Sequence, residues 1–363
     1  MDQLLDQKAC WRAVVARDAR FDGRFFTGVT STGIYCRPVC PARTPKRENV
    51  AFHPSAAAAE AAGLRACLRC RPETAPEMGA WRGTSNTVSR ALALIEAGAL
   101  DTGNAEALAT RLGMGERQLR RLFRQHLGAA PVSVAQTRRV LLAKQLIHET
   151  DLSMAEVAMA SGFGSVRRFN ETFQALYGRA PSDLRRRKVE AEPGGVIKIG
   201  LSYRAPYDWP TMMSALAMRA VAEETAVDGA WTRRLRLDVD ETDGAVTVRP
   251  AGEGKAAVEA RIDNLKALPG VLARVRRVFD LAADPEAITR DLSADPVLHA
   301  AMRARPGLRL AGDWIDAGAD APSDRLTTTD AALLARAERW RPWRAYGALY
   351  WALSEERRDD QAA

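Results

Sequence analysis

The sequence predicts a multidomain protein, mainly α with α+β parts: a small four-cysteine metal domain, an all-α double helix-turn-helix domain, and an α+β domain followed by a C-terminal helix. Three observations carry this. All five cysteines precede residue 71, four of them in two close pairs, Cys36/Cys40 and Cys67/Cys70. Leu119, Phe123, Gly128 and Pro131 recur 50 residues later as Phe169, Phe173, Gly178 and Pro181, among short helices with glycine turns. Two copies mean a paired motif rather than a solenoid. After residue 195 the pattern turns mixed, with strand-like alternation over 196–203 and 235–248. The tail, 329–357, reads as one amphipathic helix with Trp340, Trp343, Tyr346 and Tyr350 on its apolar side, and Pro342 marks a kink in it.

At 363 residues the chain can bury two or three separate cores. The loose stretch Arg71-Pro72-Glu73-Thr74-Ala75-Pro76 and the run Glu190-Ala191-Glu192-Pro193-Gly194-Gly195 punctuate it. The expected domains are therefore 1–76, 84–188 and 196–314, with a remnant over 315–363. No apolar run approaches a membrane span, and the opening residues, with Asp2, Asp6 and Lys8, do not read as an export signal. The expected address is the cytoplasm, at the nucleoid, with no membrane partner. There disulfides are disfavoured, and paired cysteines read as metal ligands or reactive groups. The net charge is +8, mostly from arginine, whose planar fork suits phosphate and guanine edges.

The pattern C-x3-C, a 26-residue gap and C-x2-C can supply the four tetrahedral sulfurs that zinc prefers: Cys36, Cys40, Cys67 and Cys70. Cys10 stands alone beside Trp11 and reads as a buried core residue. Spacing alone fits a purely structural zinc site. The flanking residues go further. Phe26-Thr27-Gly28-Val29-Thr30-Ser31-Thr32-Gly33-Ile34-Tyr35-Cys36-Arg37-Pro38, Arg47-Glu48-Asn49-Val50-Ala51-Phe52 and Gly63-Leu64-Arg65-Ala66-Cys67 resemble the N-terminal metal domain of the Ada family, over about residues 10–73. That resemblance implies that Cys36 is both a Zn2+ ligand and an irreversible acceptor of methyl from a methylated DNA phosphate, a single-turnover transfer. A zinc-bound thiolate stays deprotonated at neutral pH, and methylation would remove one negative charge beside the DNA. Arg43, Arg65 and Arg69 are the expected phosphate contacts nearby.

Residues 105–127 and 154–177 each read as helix, glycine turn, helix. In the first unit Leu119, Leu122, Phe123 and His126 line one side of the second helix. Arg117, Arg120, Arg121 and Arg124 line the other, the footprint of a groove or phosphate binder. In the second unit Val166, Phe169 and Phe173 are expected to face inward, Arg167, Asn170, Glu171 and Gln174 outward, and Arg168 lies at the boundary. The paired F-x-x-x-[LY]-G-x-x-P endings and Ala160-Ser161-Gly162-Phe163-Gly164-Ser165 resemble the DNA-binding domain of the AraC family, over about 88–187. This implies a transcription regulator with a long linking helix over 131–149. Its expected partners are double-stranded DNA, at methylated phosphates and at promoter sites, and RNA polymerase.

Leu201-Ser202-Tyr203-Arg204-Ala205-Pro206-Tyr207-Asp208-Trp209, Val278-Phe279-Asp280-Leu281 and Pro306-Gly307-Leu308-Arg309-Leu310 resemble the N-terminal domain of the AlkA family, the DNA-3-methyladenine glycosylases II. Residues 337–346 look like the last helix of the same enzymes. Between the two matches the family's helix-hairpin-helix is missing. Asp316-Ala317-Gly318-Ala319-Asp320 offers carboxylates without a base pocket, so glycosylase activity is not expected. A fused glycosylase remains the alternative of enzyme class. The third region is left open between a docking module and a core face exposed for want of its partner helices. No cysteine follows Cys70, so transfer from alkylated guanine is not expected either.

Overall fold

The computed structural model describes residues 6–76, 86–185, 195–219, 221–315 and 330–362. The first region opens with a helix, Gln7–Ala16, capped by Asp6 accepting from the Lys8 amide. Cys10 is buried on it against Phe25, Val50 and Phe52. Four short strands follow: β1 (Phe26–Val29), β2 (Ile34–Cys36), β3 (Val50–His53) and β4 (Arg65–Ala66), in the order β3-β1-β2-β4. The helix Ala56–Ala61, capped by Ser55, is alanine apart from Glu60 and so lies close to the sheet, over Tyr35 and Leu64.

The helical region explains its own repeat. Leu119 and Phe123 on Glu116–Leu127, like Phe169 and Phe173 on Val166–Tyr177, are fully buried. Gly128 and Gly178 close these helices in the left-handed conformation, at φ 71° and 66°, where a Cβ would be strained. A side chain at 128 would also meet Ala58 Cβ at 2.9 Å, so this corner fits the metal-domain helix as well. Pro131 and Pro181 then start the next turn. Met154–Ala160 begins with a capping box between Ser153 and Glu156. Val166, expected inward, is 41% exposed. It is the first residue of its helix, and Ser165 is spent on capping the Arg168 amide rather than extending the apolar stripe.

The third region is a five-stranded antiparallel sheet of β5 (Ile197–Ser202), β6 (Glu224–Val227), β7 (Ala230–Leu235), β8 (Gly244–Pro250) and β9 (Lys255–Ile262), in the order β5-β9-β8-β7-β6. Trp231, Val246, Val248, Val258 and Ala260 point to one face, in a core shared with the helices Trp209–Met218 and Leu268–Val278. The alternation over 235–248 misleads. The strand ends at Leu235, a turn of helix occupies Leu237–Asp240, and pairing resumes at Gly244. Asp240 is drawn inward there by Arg274 and by Trp314 Nε1, which donates to it at 2.7 Å.

The tail is two helices, Ala331–Ala337 and Arg344–Ala362, with a 3-10 turn (Glu338–Trp340) between them, not one helix. Pro342, lacking an N–H, falls in the break. Trp340, Trp343, Tyr346 and Tyr350 are buried against Leu292, Leu298 and Leu308, so this face of the third region has a cover. The linker residues 190–194 and the carboxylate segment 316–320 lie outside the described residues.

Tyr346 donates its phenol proton to the buried carboxylate of Asp280, fastening the tail to the third region. Burial pushes the Asp280 carboxyl up to about 6. A carboxyl raised on folding binds a proton in the native state between its ordinary value and 6, so its contribution to stability falls as pH rises through that window. Replacing Asp280 with asparagine is expected to remove this slope. Urea unfolding at pH 4.5 and 7 should show the wild type losing roughly 2 kcal/mol more than the variant over that range.

The helix Pro131–Glu149 joins all three regions. Thr137 Oγ1 donates to Glu60, which also accepts from Tyr35. Lys144 meets Glu73, Gln145 Nε2 donates to the Gly200 carbonyl, and Glu149 accepts from Arg71 and from the Gly200 amide.

Candidate metal centre and nucleic-acid interface

The parallel pairing of β2 with β4, Tyr35 against Ala66, sets the next residues, Cys36 and Cys67, side by side. Tight turns after each strand then return Cys40 and Cys70 to the same point. All four sulfurs lie within 4.8 Å of one another. Zn–S bonds of about 2.3 Å in a tetrahedron separate sulfurs by about 3.8 Å, so the donor set and its closeness fit zinc.

The four thiols cannot act independently. Cys36 is pushed up by hydrogen bonding to Cys40, Cys67 and Cys70, while Cys67 is driven down, first through Cys36. Cys40 is lowered to about 7, first by Cys36, with the Ala42 amide assisting.

Backbone amides sort the sulfurs further. The Arg69 N–H donates to Cys67 Sγ at 3.3 Å and the Arg37 N–H to Cys70 Sγ at 3.4 Å. Among the described residues no amide reaches Cys36 Sγ. Cys67 and Cys70 are buried, whereas Cys36 and Cys40 are half-buried. An amide proton withdraws electron density from a thiolate, so the Cys36 sulfur stays more basic than the amide-bonded sulfurs of Cys67 and Cys70.

Arg37 was legible in the motif, but its direction was not. Its guanidinium turns inward to Asp22, to Thr74 Oγ1 at 2.7 Å and to the Cys70 carbonyl at 3.2 Å. It clamps both ends of the metal loop. Lys144 was missed as well. The signal was a lysine on the apolar side of a helix, between Val140 and Ile147.

Of the three arginines expected near the centre, Arg43 and Arg69 are exposed and Arg65 is half-buried on β4. On Glu116–Leu127, the second helix of the first helix-turn-helix unit and the one expected to read DNA, Arg117, Arg120, Arg121 and Arg124 are all exposed, opposite Leu119 and Phe123. Arg120 pairs with Glu116, one turn back. On the corresponding helix of the second unit, Arg167, Arg168 and Asn170 are exposed, with Arg167 paired to Glu171 at 2.8 Å. Both are surface pairs worth little, and either arginine can turn to a phosphate at small cost.

A tetrathiolate domain built onto a double helix-turn-helix and an α+β domain defines the class: a metal-centred helix-turn-helix protein. The comparisons agree. The metal binding domain of Ada matches residues 9–73, a helix-turn-helix domain residues 108–187, and the AlkA N-terminal domain residues 198–315. The AdaA protein of Bacillus subtilis, a bifunctional transcriptional activator/DNA repair enzyme, is 30% identical over 186 residues, covering 51% of this chain and 84% of its own. The probable bifunctional transcriptional activator/DNA repair enzyme AlkA of Mycobacterium tuberculosis is 40% identical over 311 residues, covering 84% of this chain. Ada of Escherichia coli is 41% identical over 129 residues, 36% of this chain and 35% of its own. The chain belongs to the Ada family. It spans 62% of the length of the mycobacterial relative. No described helix is long and apolar enough to cross a membrane.

Proposed function

We propose that the chain is a DNA-binding transcription regulator of the alkylation response, switched by irreversible methyl transfer from a DNA methylphosphotriester to Cys36. The observation that carries this is the half-buried Cys36, whose sulfur has no amide donor among the described residues while the buried Cys67 and Cys70 sulfurs each have one. Cys36, Cys40, Cys67 and Cys70 would hold zinc, whose chemistry there is to keep the sulfurs deprotonated at neutral pH. The Cys36 sulfur lone pair attacks the methyl carbon, the carbon–oxygen bond breaks, and the phosphodiester leaves with its electrons and its negative charge restored. No proton moves, so no general base is required. The sulfur remains as a thioether, and the four-sulfur centre changes from a formal charge of about −2 to −1. Repulsion against DNA phosphates falls, and the exposed arginines of the two reading helices engage promoter DNA more tightly. RNA polymerase recruitment at that DNA completes the reading.

The test is intact-protein mass measurement of the zinc-loaded chain after incubation with a duplex carrying methyl phosphotriesters. One methyl per chain, mapped to Cys36, is expected. No methyl on folded, zinc-loaded protein would reduce the centre to a structural clip. A second measurement addresses the reading helices. Arg121→Ala with Arg124→Ala should flatten the plot of log affinity against log salt by about 1.8, at roughly 0.9 per lost phosphate contact.

A further inference from the structure

We infer that the outer face of the β5–β9 sheet is a second contact surface for the DNA backbone, flanking the duplex that is presented to Cys36; this rests on Cys36 being the methyl acceptor. The inner face is filled by helices. The outward positions alternate with it and bear Lys198, Arg234, Arg249, Lys255 and Arg261, all exposed, against one acid, Glu259. Between them stand small residues, Thr232, Thr247, Ala245 and Ala257, which leave the middle of the face low. Basic side chains on strands about 4.8 Å apart thus rim a shallow platform.

Two features favour a polyanion over a plain solvated face. Among the arginines packed between regions and within this domain, many are tied to acids: Arg24 to Asp284, Arg71 to Glu149, Arg233 to Glu224, Arg274 to Asp240. On this face Arg234, Arg249, Lys255 and Arg261 form no ion pair with any described residue. Solvated faces ordinarily mix signs, whereas this one carries uncompensated positive charge. The second feature is position. Arg37, adjacent to Cys36, donates to Thr74 Oγ1, and the Thr74 carbonyl accepts from Ser202 Oγ at 2.8 Å. Ser202 is an outward residue of β5, and its register partner on β9 is Lys255. The basic face therefore begins two hydrogen bonds from the methyl-acceptor loop. A duplex is far wider than that interval, and its charge complements this face.

The test compares three full-length, zinc-loaded proteins: wild type, Arg234→Ala/Arg249→Ala/Lys255→Ala/Arg261→Ala, and Arg121→Ala/Arg124→Ala on the reading helix. Binding to a 30-base-pair duplex, with and without one methyl phosphotriester, is measured as a function of salt. The sheet variant is expected to bind every duplex sequence more weakly, with a salt slope lower by up to about 3.6. Its methyl transfer should need more DNA for half-saturation yet reach the wild-type rate at saturation. The single reversal Arg249→Glu should act in the same direction. An unchanged affinity and slope in the sheet variant, while the reading-helix variant loses both, would overturn this inference and leave the function above intact. Failure of wild type to take up methyl would overturn that function instead. A sheet variant that keeps duplex binding but loses binding to single-stranded RNA, titrated in parallel, would overturn the inference by assigning the face to another polymer.

Discussion

Serine at position 36 is expected to abolish methyl uptake while leaving the chain folded and metal-bound. Three thiolates, Cys40, Cys67 and Cys70, would remain, and three protein ligands with one open position are a sufficient set for zinc. The hydroxyl of serine is a far weaker nucleophile and does not ionise at neutral pH. The contrasting variant is Cys67→Ser. Three thiolates remain there too, but the Cys67 sulfur is buried, follows β4 directly and accepts the Arg69 amide, so its loss should loosen the β2–β4 pairing that brings the ligands together and thereby release metal. Native mass measurement reads both quantities at once: zinc retained without methyl for Cys36→Ser, and zinc lost for Cys67→Ser. Methyl appearing on Cys40 in the serine-36 protein would mean that access, rather than the missing amide, selects the acceptor.

Lys144→Met is expected to cost about 3–5 kcal/mol, the range for removing one partner from a buried ion pair. Lys144 and Glu73 are 0% and 1% exposed, with Nζ donating to the carboxylate at 2.7 Å. Without the ammonium, the one cation left beside Glu73 among the described residues is the Arg71 guanidinium, at 3.1 Å on its other oxygen. Burial alone would raise the Glu73 carboxyl; the charge and hydrogen bond of Lys144 overcome this and hold it below its ordinary value. A carboxyl lowered on folding stabilises the native state above its unfolded value, and that contribution is lost as pH falls through the folded value. Wild type should therefore lose stability below about pH 4 more steeply than the variant. Lys144→Met/Glu73→Leu should regain most of the loss, since apolar replacement of both partners is often neutral. Urea unfolding of the single and double variants decides this; equal losses would mean that Lys144 matters for its packing alone.

What could be read in advance follows from range along the chain. The cysteine pairs are local, and their spacing contains the metal site whole. The Phe-Gly-Pro repeat is local too, because each glycine closes its own helix. By contrast, Lys144 finds Glu73 71 positions away, and Arg24 finds Asp284 260 away. Such partners are set by how the regions dock, which helical periodicity does not encode. The misreadings have the same origin. Val166 has apolar chemistry at the right spacing, yet a helix's first turn is where the chain enters from solvent. Asp240 breaks a strand because Arg274 and Trp314, both far along the chain, draw it inside. Arg37 was read as part of a motif, although only Asp22 and Thr74 reveal that it holds the loop.

The linking helix has a metric consequence. Its 19 residues, at 1.5 Å each, make a rod about 28 Å long. Successive major-groove segments on one side of a B-form duplex are about 34 Å apart. The rod is pinned on several sides by Glu60, Glu73 and Gly200, so it cannot lengthen or swing to make up the difference. A duplex held by the helices Glu116–Leu127 and Val166–Tyr177 is expected to curve toward the protein, which the gel mobility of circularly permuted operator fragments would read. Operator choice would then depend on flexible base steps between the two half-sites, at positions that no side chain touches.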